Sequence, residues 1–98
     1  MMPGGLSDAK PATPEIQEIV DEIKPMFEDK INGKCETFEA VTYKTQVVAG
    51  TMYYVKVFIG NDRYAHLKII KPLPHTNESP KLLDFQTDKT KDDELTSF

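Results

Sequence analysis

The apolar pattern of this chain changes period once, near residue 38, and that single change restricts it to one helix followed by strands. Before the change, Ile16, Ile19, Val20, Ile23, Phe27 and Ile31 recur at three- and four-residue steps, the spacing of one helical face. Glu15, Glu18, Asp21, Glu22, Glu28 and Asp29 fall on the opposite face, and the early acids suit the positive end of the helix dipole. Thr13-Pro14 supplies a hydroxyl for the N-cap and a proline for the first helical position. Pro25 removes one backbone donor inside the pattern and predicts a kink. The stripe continues beyond it, so one helix is expected, stopping at Asn32-Gly33.

From Phe38 onward the period is two. Val41, Tyr43, Thr45 and Val47 share one face of a first strand, with Ala40, Thr42, Lys44 and Gln46 on the other. In the next strand Tyr53, Val55, Val57 and Ile59 oppose Tyr54, Lys56 and Phe58. Gly60-Asn61-Asp62 marks a turn, and a third strand sets Ala65, Leu67 and Ile69 against Tyr64, His66, Lys68 and Ile70. Pro72, Pro74 and Pro80 bracket a loop before a last strand over Leu82 to Thr87. Hairpin-length connections require antiparallel pairing, and the helix must cover one sheet face for both stripes to be buried. The expected fold is α+β: one long kinked helix packed across a four- to five-stranded antiparallel sheet. A single domain is expected over residues 1–98, with a Gly- and Pro-rich flexible arm over residues 1–12.

Composition narrows the function classes. Ninety-eight residues bury roughly 60–65% of the unfolded surface, enough for one core but not for a deep substrate cavity. The net charge of −4 argues against nucleic acid, whose phosphates require a basic face. No apolar run approaches the ~18 residues of a membrane span. The stretch from Met1 to Asp8 has neither a basic nor an apolar signal segment. With Cys35 as the only cysteine, no internal disulfide can form, and a cytoplasmic location is expected.

One segment is more apolar than folding requires. Gln46-Val47-Val48-Ala49-Gly50 lies where the first two long strands must turn, yet Gly50 alone gives easy access to positive φ. An apolar patch on an exposed loop marks a partner surface. The pentapeptide matches Gln-x-Val-x-Gly, the motif of the cystatins, which inhibit papain-like cysteine proteases. Pro3-Gly4-Gly5, Leu73-Pro74 and Asp93-Glu94-Leu95 extend the resemblance over essentially the whole chain and are similar to the stefin class, which is intracellular and lacks disulfides. Secreted cystatins carry Pro-Trp where this chain has Leu73-Pro74, and this chain has no tryptophan.

The resemblance implies a reversible tight-binding inhibitor, with the cathepsins L, S, H and B as partners and no cofactor. It implies that Met2 and Pro3 fill non-primed subsites of the protease and that Gly4 marks the turn where the arm leaves. Gln46, Val47, Val48, Ala49 and Gly50 would form the central blade. Leu73 and Pro74 would touch the primed side, with His75 next in line. The active form would be a monomer, and opening of the hairpin at Val48–Gly50 offers a route to a domain-swapped dimer. Stefin-like proteins are also associated with cross-linked epithelial cornified envelopes, which leaves a structural role as the alternative.

Other candidates are weaker. Cys35 with His66 or His75 would make a thiol enzyme, but Cys35 follows a helix C-terminus, which raises rather than lowers a thiol pKa. Nothing Gly-rich stands beside it to stabilise an oxyanion. One Cys and two scattered His lack the paired spacing of a zinc site. Asn77-Glu78-Ser79 matches the glycosylation sequon by chance in a chain without an export signal. Lys68, Lys71 and Lys81 read as a solvated sheet face. The Lys89–Glu94 run reads as a surface tail, pinned back by Leu95 and Phe98.

Overall fold

The computed structural model describes residues 6–48, 50–73, 75, 77–96 and 98. A short strand β1 (Lys10–Pro11) precedes the helix α1 (Pro14–Ile31), and four strands follow: β2 (Glu39–Val48), β3 (Gly50–Phe58), β4 (Tyr64–Lys71) and β5 (Lys81–Lys89). They form one sheet in the order β1-β2-β3-β4-β5, each pair antiparallel. Every strand therefore neighbours the next one in sequence.

The helix begins and ends as its residues dictate. The Thr13 hydroxyl accepts the Ile16 N–H at 3.3 Å, satisfying one of the free donors at the first turn. At the other end Asn32 takes the left-handed conformation (φ 55°) and the Gly33 N–H donates to Glu28 O at 3.0 Å. Between these caps the helix runs through Pro25 without interruption. Its buried face is Ile16, Ile19, Val20, Ile23 and Phe27, packed with Val55, Val57, Ala65, Leu67 and Ile69 of the sheet. Phe27 anchors this layer, with its ring centroid 5.4 Å from Phe38 and 5.2 Å edge-on from Phe85. The Gln17 side chain locks the helix to the entry of β2, donating to Phe38 O at 3.1 Å and accepting the Ala40 N–H at 2.8 Å.

Three expectations change. Ile31, read as part of the stripe, is exposed at the last residue of the helix. Ala40, expected opposite Tyr43, packs against the core alongside it. The register between β2 and β3 shifts between Ala40 and Thr42, and the extra residue of such a bulge reverses the alternation on one side of it. Lys68 is not on a solvated face. The residues after β5 cross the sheet face turned away from α1, burying Tyr54, Lys56, His66 and Leu95, and Lys68 Nζ donates to the main-chain oxygen of Phe98. The pinning expected of Leu95 and Phe98 is present, and Phe98 meets Tyr54 edge-on at 5.6 Å.

Phe27 is fully buried in contact with two rings, so truncation leaves a cavity that a single helix cannot close. Phe27→Ala is expected to lower stability by about 3–5 kcal/mol, read as a lower urea midpoint.

Candidate functional site: the sheet end between two loops

The β2–β3 hairpin narrows to one intervening residue, since Val48 pairs with Gly50. Gly50 is buried with φ +118°, a conformation that side chains strongly disfavour. A second constraint acts on the same atom. A Cβ at Gly50 would stand 2.5 Å from Lys71 O and 3.2 Å from Pro72 Cα. Glycine is therefore required because backbone meets backbone where the hairpin abuts the end of β4. The register agrees, since Thr51 pairs with Val47 on one side and with Lys71 on the other.

This close approach brings the hairpin tip and the loop after β4 to one end of the sheet. Val47 is 73% exposed, the highest value of any large apolar side chain among the described residues, and Leu73 is 42% exposed. Between them runs a shallow groove lined by Thr51, Tyr53, Lys71 and Pro72. Gln46 is half-buried and His75 is exposed. The root of the loop is tied to the start of the helix by Lys71 Nζ and Glu15 Oε1, 3.7 Å apart and partly exposed, a pair worth at most ~1 kcal/mol. Tyr53 forms the inner wall, and burial, followed by the Glu15 carboxylate, raises its phenol pKa.

The chain before α1 approaches the same end. Ser7 N–H donates to Thr45 O at 2.9 Å, Thr45 N–H donates to the Ser7 hydroxyl at 3.0 Å, and Ala12 N–H donates to Val41 O. Residues 7–12 thus run antiparallel to β2, with the lower numbers toward its Val48 end. Met2, Pro3, Gly4, Ala49 and Pro74 lie outside the described residues, as does the side chain of Val48.

Sequence reasoning missed the groove liners Thr51, Tyr53, Lys71 and Pro72. Lys71 was grouped with a solvated face, and only its position immediately before Pro72-Leu73 signalled otherwise. The thiol lies elsewhere. Cys35 is buried, and burial, followed by the nearby Glu28 carboxylate, raises its pKa. Glu28 also accepts the Cys35 N–H at 2.7 Å. A raised pKa suppresses the thiolate that a nucleophile needs. Among the described residues no group of three or more His, Cys, Asp or Glu is placed to hold a metal, and no helix is long and apolar enough to cross a membrane.

A five-stranded antiparallel sheet wrapped on one helix, with a Gln-x-Val-x-Gly hairpin at one end, defines a class, and the sequence agrees with it. Residues 4–92 match the cystatin domain, and the chain belongs to the cystatin family. Over all 98 residues of both chains it is 62% identical to human Cystatin-A. It is 57% identical to Cystatin-A of Felis catus, again over the full length of both. It is 53% identical to Leukocyte cysteine proteinase inhibitor 1 of Sus scrofa, of which it covers 95%.

Gly50→Ala forces a Cβ into Lys71 O at a positive φ. The substitution is expected to cost about 1–3 kcal/mol, measured by thermal unfolding, and to shift the amide resonances of Lys71 and Leu73. Resonances that stay in place would mean that the two loops are not coupled through this contact.

Proposed function

We propose that this chain is a reversible, tight-binding inhibitor of papain-like cysteine proteases, cathepsins L, S, H and B among them, and not itself an enzyme. The observation that carries the reading is Val47, 73% exposed on the β2–β3 hairpin and lining one groove with Leu73. Apolar surface of this kind gains stability only when a partner covers it. Support also comes from the name of the porcine relative, a cysteine proteinase inhibitor.

The mechanism is occlusion by a three-part wedge. Gln46, Val47, Val48, Ala49 and Gly50 enter the cleft as the central blade. Leu73 and Pro74, with His75 beside them, cover the primed side, and Met2, Pro3 and Gly4 cover the non-primed side. Gly50 acts through shape, because its contact with Lys71 O holds the blade against the second loop. The central blade is flanked by the paired strands β2 and β3 and the second loop leaves directly from β4, which lowers the ordering entropy to be lost on binding. The arm contributes chiefly to the rate of dissociation. The inhibitor acts as a monomer in the cytoplasm, where the thiol of Cys35 stays reduced.

Titration of active-site-quantified papain tests this directly. One-to-one loss of activity with the inhibitor left uncleaved is the expected result, and full papain activity at micromolar inhibitor would end the proposal. Val47→Asp places a charge on side-chain surface already in water, so its unfolding curve should match the parent chain. Its inhibition constant is expected to weaken about tenfold to a hundredfold, from roughly 1–3 kcal/mol of lost apolar contact. The same variant would retain any role in cross-linked envelopes, which requires lysine and glutamine side chains but not the blade.

A further inference from the structure

The sheet face turned away from α1 has no part in the wedge, yet it buries a histidine completely. His66 is 0% exposed, and neither Nδ1 nor Nε2 has a hydrogen-bond partner among the described residues. An imidazole in that setting tolerates the neutral form and resists the cation. Its cover is the chain after β5. Three ammonium groups, one from each of three adjacent strands, reach main-chain oxygens of this tail. Lys44 Nζ donates to Leu95 O at 2.8 Å, Lys56 Nζ to Lys91 O at 2.6 Å, and Lys68 Nζ to Phe98. Leu95 of the tail is itself buried, and Lys44 also lies 3.7 Å from Glu94.

The charges around His66 are unbalanced. It pairs across the sheet with Lys56 on β3 and with Gln86 on β5. Lys89 of β5 and Asp93 of the tail complete the charged groups acting on it. On its own strand Tyr64 and Lys68 flank it, and one step further Lys44 and Asp92 act on Lys56. Two lysines therefore face the ring against one aspartate. Burial, followed by Lys56 and Lys89, pushes His66 down from its ordinary 6.5 to about 4, with Asp93 opposing.

We propose that the tail of residues 90–96 and 98 is an acid-released strap: protonation of His66 sets a third cation beside Lys56 and Lys89 beneath it, and the tail leaves the sheet while the helix–sheet core stays folded. With the tail lifted, His66 meets water and recovers its ordinary affinity for protons. The released state thus binds the proton better than the docked state, so docking is at full strength above about pH 6.5 and weakens as pH falls toward 4. Asp93 does not titrate in that window. The Thr90 N–H, which donates to its carboxylate at 2.7 Å, holds its pKa below the ordinary range.

Relaxation dispersion at the amides of Lys91, Asp93 and Leu95 reads the released population. In the parent chain that population is expected to rise on the order of tenfold from pH 7 to pH 5, with the β3 amides silent. In His66→Gln, which cannot be protonated, the rise should vanish. An unchanged population in the parent chain overturns the proposal, as does an equal rise in His66→Gln or a simultaneous response from β3. Should His66→Gln fail to fold, the titration midpoint of His66 itself decides. Leu95→Ala loosens the strap and should raise that midpoint toward 6.5, whereas a midpoint equal to that of the parent chain would show that the tail does not govern the proton.

Discussion

The packing of one helical stripe on one sheet face is the interaction on which everything else in this protein depends. Val20, Ile23 and Phe27 are fully buried against Val55, Val57, Ala65, Leu67 and Ile69. Each such side chain contributes roughly 1.5–3 kcal/mol by leaving water, and no second layer of helix exists among the described residues to replace them. The placement of the strand ends at Gly50 and Lys71 follows from this packing. Once β3 and β4 are fixed against α1, the meeting point of Gly50 and Lys71 at their ends is fixed too. Val47 is left in water at the end of the sheet, outside the cluster of core residues.

Backbone contact then converts a firm sheet into a shaped end. Gly50 brings the hairpin against Lys71 O, and the Lys71–Glu15 pair links the same point to the first turn of the helix. The second sheet face is organised on a different principle. It is held by ammonium-to-carbonyl bonds over a buried imidazole, interactions whose strength depends on charge state. One face therefore resists changes in pH, and the other is built to respond to them.

Much of this was legible from residue spacing. The helix bounds, the Asn32-Gly33 stop, the turn at Gly60 and the core faces of β3 and β4 follow from local rules, because each depends on neighbours within a few residues. Ala40 escaped those rules, since a bulge is a property of two strands and leaves no mark in the alternation of one. Lys68 escaped them as well. An alternating lysine has the same pattern whether water or a distant tail lies above it. For the loops, the apolar pentapeptide and Leu73-Pro74 stood out in the sequence, whereas their neighbours Thr51, Tyr53 and Lys71 did not.

The sequence by itself determined the α+β class, the cystatin resemblance and the excess of apolar residues at Gln46–Gly50, because periodicity, capping and a short motif are written in adjacent residues. Only the tertiary structure decided that Gly50 serves a close approach to Lys71 O as well as a turn, and that His66 is sealed with no hydrogen-bond partner among the described residues. Both facts depend on chain segments about 20 to 30 residues away in sequence. Such distances are closed by packing, which no local pattern encodes.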